Sequence, residues 1–331
     1  MKVAIFSTKN YDREYIDRFN ISENHALTFF ETSLTRNTAK LTIGFDAVCV
    51  FVNDKVDRET IHILSENGIK VIALRCAGFN NVDLEAAKEK NITVLNVPSY
   101  SPHAVAEHTV ALIMTLNRKT HKAYNRVRES NFSLDKLVGF DLYKKTVGVI
   151  GTGKIGAIFC KIMTGFGCTV LAHDTYESDD LKKAGIRYKS FNEVISESDI
   201  ISLHCPLTPE TKYIINDSTF SRMKNGVMMI NTSRGALINT LDAIQALKNG
   251  KLGYFGIDVY EQEGNLFFKD LSEMVLQDES ILRLMSFPNV LITSHQGFLT
   301  KEALTQIAIT TLKNLTDVEK DIPSENVVGK K

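Results

Sequence analysis

The sequence predicts an α/β protein with two doubly wound parallel sheets, one in each of two domains. Three observations predict this. Short runs of apolar, largely β-branched residues recur along the chain, they are continuous rather than alternating, and stretches of helical character separate them. Continuous runs mark strands buried on both faces, the condition of a parallel sheet covered by helices. With 331 residues and 44% apolar content, the chain exceeds one ordinary core, so two domains are expected.

The predicted strands of the first domain are "VAIF" at 3–6, "AVCVFV" at 47–52, "VIAL" at 71–74 and "TVLNV" at 93–97. A long helical stretch follows, "SPHAVAEHTVALIMTLNRKTHKAYNRVRES". Its Pro102 stands where a first-turn proline loses no helical hydrogen bond, and the stretch is read as separating the domains. The second domain then runs through "TVGVI" at 146–150, "TVLAH" at 169–173, "IISLH" at 200–204, "VMMIN" at 227–231, "YFGIDV" at 254–259 and "VLITS" at 290–294. Residues 300–318 place Leu304, Ile307, Leu312 and Leu315 on one helix face, and no strand is expected after it.

Lys plus Arg and Asp plus Glu number 39 each, and neither sign forms a long block, so no field suited to nucleic acid or anionic lipid is expected. Cys49, Cys76, Cys160, Cys168 and Cys205 lie mostly in or beside apolar runs without a Cys-x-x-Cys pair. They read as reduced packing thiols, neither disulfides nor zinc ligands. No signal peptide and no membrane-spanning run is seen, so the expectation is a cytoplasmic protein.

The stretch "VGVIGTGKIG" at 147–156 carries glycines at spacings of two and three. That spacing alone is weak evidence. Here a strand precedes it, a helical pattern follows, and the next strand ends in Asp174, 18 residues past Gly156. This is the arrangement of a dinucleotide site. Gly151 permits the tight turn, Gly153 lets the backbone approach a pyrophosphate, Gly156 lets the helix pack on the strand, and the helix N-terminus offers N–H groups to phosphate. Asp174 would accept from ribose hydroxyls and repel a 2′-phosphate, which favours NAD over NADP. The first domain's opening turn, "FSTKNYD", has no glycine, so that domain is expected to serve the substrate.

Ligands of open parallel sheets sit beyond the carboxyl ends of the strands. There the second domain carries Arg234 after "VMMIN", Glu261 and Glu263 after "YFGIDV", and His295 after "VLITS". The set suits hydride transfer to a 2-oxo acid. Arginine holds carboxylate or carbonyl oxygen through paired hydrogen bonds, histidine titrates near working pH and can donate the proton, and a glutamate on its other ring nitrogen would stabilise the imidazolium. Each also has a plain structural alternative, as surface ion pair, solvated loop carboxylate or capping residue. Spacing does not choose between Glu261 and Glu263. His204 reads as a strand-end core residue or cofactor neighbour, and His103, His108 and His121 are spaced by five and thirteen residues, which gives no metal pair.

The stretches "RCAGFNNVD" (75–83), "VPSYSPHAVAEH" (97–108), "GVIGTGKIG" (148–156), "SLHCPLTPET" (202–211), "NTSRGALI" (231–238), "GIDVYEQE" (256–263) and "SHQGF" (294–298) resemble the NAD-dependent D-2-hydroxyacid dehydrogenase family, in its order and over most of the chain. "FVND" (51–54) and "NLFFKD" (265–270) are similar to the family's fermentative D-lactate branch. The resemblance implies a Rossmann NAD-binding domain at 101–298 and a discontinuous, flavodoxin-like substrate domain at 1–100 and 299–331, with a cleft between them. It implies Glu263 as the catalytic glutamate, Arg234 for substrate binding and activation, and His295 as proton donor in reduction. It also implies cofactor contacts from Lys154, Ile155, Asp174, Cys205, Pro206, Thr232, Ser233 and Asp258, and a substrate carboxylate held by backbone N–H groups of Cys76, Ala77 and Gly78 with Tyr100 nearby. Cys205 stands where many members have an aliphatic residue.

The expected activity is therefore reduction of pyruvate to D-lactate with NADH by a homodimer or homotetramer. Phe51, Phe79, Tyr100 and Phe298 suggest a small pocket. The alternatives are the same chemistry on a bulkier 2-oxo acid and, in another class, an NAD-sensing binding protein like the corepressors that resemble this family.

Overall fold

The computed structural model describes residues 1–329, the Asn265 side chain apart, and among these the chain divides after Ser101 and again before Leu299. The first unit takes Met1–Ser101 and the segment from Leu299; the second is Pro102–Phe298.

The first unit begins β1 (Lys2–Ile5), α1 (Asn10–Glu23), β2 (Ala26–Phe29), β3 (Ala47–Val50), α2 (Arg58–Glu66), β4 (Val71–Leu74), α3 (Leu84–Glu89) and β5 (Thr93–Leu95). Its strands pair in parallel in the order β2-β1-β3-β4-β5. Every residue of β3 and β4 is buried, which is why these strands read as unbroken apolar runs. β2, an edge strand with no fully buried residue, carries no such run and is absent from the sequence reading.

The second unit contains α4 (Pro102–Arg118), α5 (Thr120–Arg128), β6 (Thr146–Ile150), α6 (Lys154–Gly165), β7 (Thr169–His173), α7 (Asp179–Lys183), β8 (Arg187–Tyr188), α8 (Phe191–Glu197), β9 (Ile200–Leu203), α9 (Asp217–Arg222), β10 (Val227–Asn231), α10 (Thr240–Lys248), β11 (Leu252–Ile257), α11 (Glu279–Ser286) and β12 (Val290–Ile292). The expected single long helix is two. Lys119 adopts a left-handed conformation (φ 51°) while its ammonium binds the Lys136 and Val138 carbonyls, and the helix breaks there. The parallel sheet runs β12-β11-β10-β9-β6-β7-β8, so the winding reverses between β6 and β9. The carboxyl ends of those two strands frame the position where open α/β sheets bind ligands. Alternate side chains feed two cores, Val147, Val149, Met228 and Ile230 on one face and Ile150, Ile201, Val227 and Met229 on the other. β8, two residues at the sheet edge, is again missing from the sequence reading.

The chain then returns to the first unit through α12 (Lys301–Glu319), capped by the Thr300 hydroxyl on the Ala303 N–H. Ala308, Leu312 and Leu315 of α12 complete a core with Val3, Cys49 and Val71. As expected, no strand follows it among the described residues, but a single antiparallel bridge joins Val327 to Leu95, with Asn96 N–H donating to Asn326 O (3.1 Å) and Val328 N–H to Val94 O (2.9 Å). Three polar-flanked residues give no periodic signal, which is why the pairing escapes the sequence. Among the described residues no helix is long and apolar enough to cross a membrane.

Candidate active site

β6 ends at Ile150, and Gly151 turns the chain with φ +94° into Gly153, the N-cap of α6. A Cβ on Gly156 would lie 2.0 Å from the Gly151 carbonyl oxygen, so the helix can approach the turn this closely only without a side chain. At Gly153 a Cβ would meet nothing within 4 Å, leaving that face open. The first helical bond is Ala157 N–H to Gly153 O, so the N–H groups of Lys154, Ile155 and Gly156 have no intrahelical acceptor. A bare backbone face at the positive end of a helix fits a pyrophosphate.

Asp174, at the end of β7, accepts from the Thr152 N–H and hydroxyl and from the Tyr176 N–H. Partial burial works against its charge, but these donors outweigh it and hold the carboxyl below its usual range. The Thr152 hydroxyl also meets the Tyr188 hydroxyl (2.8 Å), which accepts from Ser178 N–H (3.0 Å). Neither Thr152 nor Tyr188 stood out in the sequence. His204 packs against Phe159 with ring centroids 5.0 Å apart, and burial pushes its imidazole down to about 3, so it is neutral. Burial pushes the Cys205 thiol up to about 11, and the Cys205 carbonyl accepts from the Ser233 hydroxyl (2.7 Å), tying the ends of β9 and β10 together. The Thr232 hydroxyl pairs with that of Thr109 (2.8 Å) on α4. Pro206 is exposed beside them.

Beyond β11 and β12 two side chains meet: His295 Nδ1 lies 2.9 Å from Glu263 Oε1. The second Glu263 oxygen accepts from Tyr260 N–H (2.9 Å), which fixes the carboxylate's orientation. The two side chains are 18% and 25% exposed, so the pair stands at a surface that a small molecule can reach. His295 Nε2 makes no hydrogen bond among the described residues. Glu261 is engaged elsewhere, accepting from the Tyr213 hydroxyl and from the Thr240 hydroxyl (2.9 Å).

Asp258, 1% exposed, holds the histidine's loop in place. Its carboxylate accepts from the Thr293 hydroxyl (2.6 Å), Gln296 N–H (2.9 Å) and Gly297 N–H (2.8 Å), and its carbonyl accepts from His295 N–H (2.8 Å). Burial works against this charge, but His108, 3.3 Å away, with the Thr293 hydroxyl and the Gln296 amide, holds the carboxyl below its usual range. His108, read from sequence only as unsuited to a metal pair, thus partners a buried carboxylate. Arg234 is half-buried, and its Nη1 donates to the Ser233 carbonyl (2.7 Å). The next residue, Gly235, packs on the Tyr260–Glu261 peptide so tightly that a Cβ would sit 2.1 Å from the Tyr260 carbonyl carbon.

Residues 110–297 match the family model described as the NAD-binding domain of D-isomer specific 2-hydroxyacid dehydrogenases. Over 97% of either chain the sequence is 54% identical to the D-lactate dehydrogenase of Escherichia coli. The chain belongs to the D-2-hydroxyacid dehydrogenase family. Solved structures of other family members resemble this dehydrogenase throughout. The E. coli D-lactate dehydrogenase matches with a TM-score of 0.91 at 51% identity, covering 99% of this chain and 100% of that one. The pyruvate reductase of Chlamydomonas reinhardtii matches at 0.93 and 43%, covering 98% of each. The Aquifex aeolicus D-lactate dehydrogenase complexed with NAD and lactic acid matches at 0.89 and 34%, covering all of both. The dehydrogenase is an NAD-dependent enzyme, and the turn at Gly151–Gly156 has the form its cofactor requires.

In the dehydrogenase's first unit, Cys76, Ala77 and Gly78 follow β4. The Ala77 and Gly78 N–H groups meet no acceptor among the described residues, while Ala77 O accepts from the Asn96 side chain (2.7 Å) and Cys76 O from Val97 N–H (3.1 Å). Directly before them Arg75, 1% exposed, donates to Asp12 (3.2 Å) and Ser7 O (2.8 Å) and stacks over Phe51 (4.8 Å). Burial works against its charge, and the carboxylates of Asp12 and Asp54 more than restore it. Asp54 in turn accepts from the Ser7 hydroxyl, Leu34 N–H and Phe51 N–H, joining three strand-end loops. A charged residue abutting the buried run "VIAL" was the signal available in sequence. Tyr100 is half-buried in the same unit.

Proposed function

We propose that this dehydrogenase, as a homo-oligomer, reduces pyruvate to D-lactate with NADH. The observation that carries the chemistry is the His295–Glu263 pair, with Nδ1 held at 2.9 Å and Nε2 left for a substrate oxygen. The names of its relatives, two D-lactate dehydrogenases and a pyruvate reductase, support the substrate and its hand. Exposed Phe132, Leu134 and Val138 support a self-association surface.

In the reaction, Arg234 turns from the Ser233 carbonyl to hold the 2-oxo acid through paired hydrogen bonds and polarise its carbonyl. The N–H groups at Cys76–Gly78 take the carboxylate. When bound, the reduced nicotinamide supplies a hydride to the carbonyl carbon. His295 Nε2–H gives its proton to the carbonyl oxygen as charge develops there, and Glu263 stabilises the imidazolium beforehand and keeps the ring aligned. Backbone N–H groups at the start of α6 hold the pyrophosphate, and Asp174 takes the adenosine ribose.

The test is NADH oxidation by the purified enzyme with pyruvate, 2-oxobutyrate, 2-oxoisocaproate, hydroxypyruvate and phenylpyruvate, then the reverse reaction with D- and L-lactate. Highest kcat/KM for pyruvate, with D-lactate alone oxidised, is expected. A larger acid preferred would reassign the substrate, and NADH binding without turnover would make the protein a sensor. For cofactor choice, Asp174→Asn keeps an acceptor for Thr152 but loses the charge that repels a 2′-phosphate. The NADH-to-NADPH ratio of kcat/KM is expected to fall about tenfold. An unchanged ratio would remove Asp174 from cofactor discrimination.

A further inference from the structure

Three asparagines in the first unit close a hydrogen-bonded triangle. Asn96 N–H donates to Asn326 O (3.1 Å), the Asn326 side-chain amide to Asn314 Oδ1 (2.8 Å), and the Asn314 side-chain amide to Asn96 O (2.9 Å). The three come from the end of β5, the buried face of α12 and the tail after it. Asn314 and Asn96 are 1% and 6% exposed, so the bond between them is made away from solvent, and Asn326 is half-buried. One donor group is left over. Asn96 Nδ2 reaches out of the triangle to the Ala77 carbonyl at 2.7 Å.

That bond acts on more than a carbonyl. A peptide unit is planar and trans, so the Ala77 C=O and the Gly78 N–H lie in one plane and point in opposite directions. Pulling the oxygen toward Asn96 aims the Gly78 N–H away from it. The preceding peptide is pinned in the same manner, because Cys76 O accepts from Val97 N–H and the Ala77 N–H must point the other way. Two adjacent peptide planes are thus held by two consecutive residues, and the N–H groups they aim are those without an acceptor among the described residues. Val97 acts through its backbone alone. Asn96 acts through a side chain whose own position is set by α12 and the tail.

We infer that Asn96, Asn314 and Asn326 are positioning residues for the substrate carboxylate, with the carboxyl-terminal tail setting the aim of the Gly78 N–H. The inference rests on the proposed reading of Cys76–Gly78 as the carboxylate site. Misaimed amides weaken the grip on an anionic substrate while leaving NADH binding and proton transfer, which belong to the second unit, untouched.

The experiment measures KM and kcat of the full chain for pyruvate and for its neutral analogue pyruvamide. Asn96→Ala is expected to raise KM for pyruvate about tenfold, and Asn326→Ala, at a half-exposed position that threatens folding less, about threefold, with kcat within about twofold. KM for pyruvamide stays constant, so the preference for acid over amide falls by the same factors. The double variant matches Asn96→Ala, because both residues act through one bond. A general loss of stability would move both substrates and kcat together. Ala77→Pro, which deletes one of the aimed N–H groups, separates the two ideas. If it lowers the acid preference while Asn96→Ala and Asn326→Ala do not, the carboxylate site stands and the role of the asparagines is overturned. If the proline variant also keeps the wild-type preference, the reading of Cys76–Gly78 fails, and the inference with it.

Discussion

Replacing His295 with asparagine is expected to lower kcat for 2-oxo acid reduction by about 10²- to 10⁴-fold, the range that positioned acid–base catalysis contributes. Asparagine is the better probe because His295 sits at φ 51°, where alanine would add backbone strain and asparagine is tolerated. The loop should then keep its bonds to Asp258, which involve the His295 main chain and the amides of Gln296 and Gly297. NADH affinity, followed by nucleotide fluorescence, should be unchanged. If affinity and turnover collapse together, His295 is holding the fold of its loop and another group delivers the proton. Glu263→Gln keeps a group near the ring but loses the carboxylate charge, so its effect should have the same sign and be smaller.

Gly156→Ala is expected to weaken NADH binding by at least about 10²-fold and to lower stability by about 1–3 kcal/mol, since its Cβ would lie 2.0 Å from a backbone oxygen that cannot swing aside. Either α6 lifts off β6 or the turn opens, and both disperse the N–H groups that meet the pyrophosphate. Gly153→Ala provides the contrast. Its Cβ enters open space, so the fold should lose under about 1 kcal/mol, the scale of an N-cap change, while the methyl group stands where the phosphates approach. Thermal unfolding with and without NADH distinguishes the cases. Equal losses of stability and affinity at both positions would mean that the turn is merely a structural element.

What could be read in advance follows from burial. Interior strands such as β3, β4, β9 and β10 are covered on both faces, so their sequences are largely apolar runs, and the end of β10 locates Arg234. His295 follows the edge strand β12, which is apolar although only half-buried. The edge strands β2 and β8 bury too little to leave that trace. The break at Lys119 is accompanied by bonds from its ammonium to the Lys136 and Val138 carbonyls, partners beyond any local pattern. Spacing could not separate Glu261 from Glu263, because what occupies Glu261 comes from Tyr213 and Thr240, remote in sequence, and family resemblance was needed to choose. The buried polar groups were least visible. Arg75, Asp54, His108 and Asn96 each read as an ordinary polar residue, and their meaning lies in partners that only the fold supplies.

The return of α12 to the first unit has a consequence for the order of events during synthesis. The first sheet emerges earliest, but Ala308, Leu312 and Leu315, which complete its core, are made only after the whole second unit has been translated. Domains fold as units once their residues are available, so here the unit that is second in sequence can finish first. Until the last helix arrives, the nascent amino-terminal sheet lacks the apolar cover that Ala308, Leu312 and Leu315 supply, and a chaperone has the length of the second unit's synthesis in which to shield it.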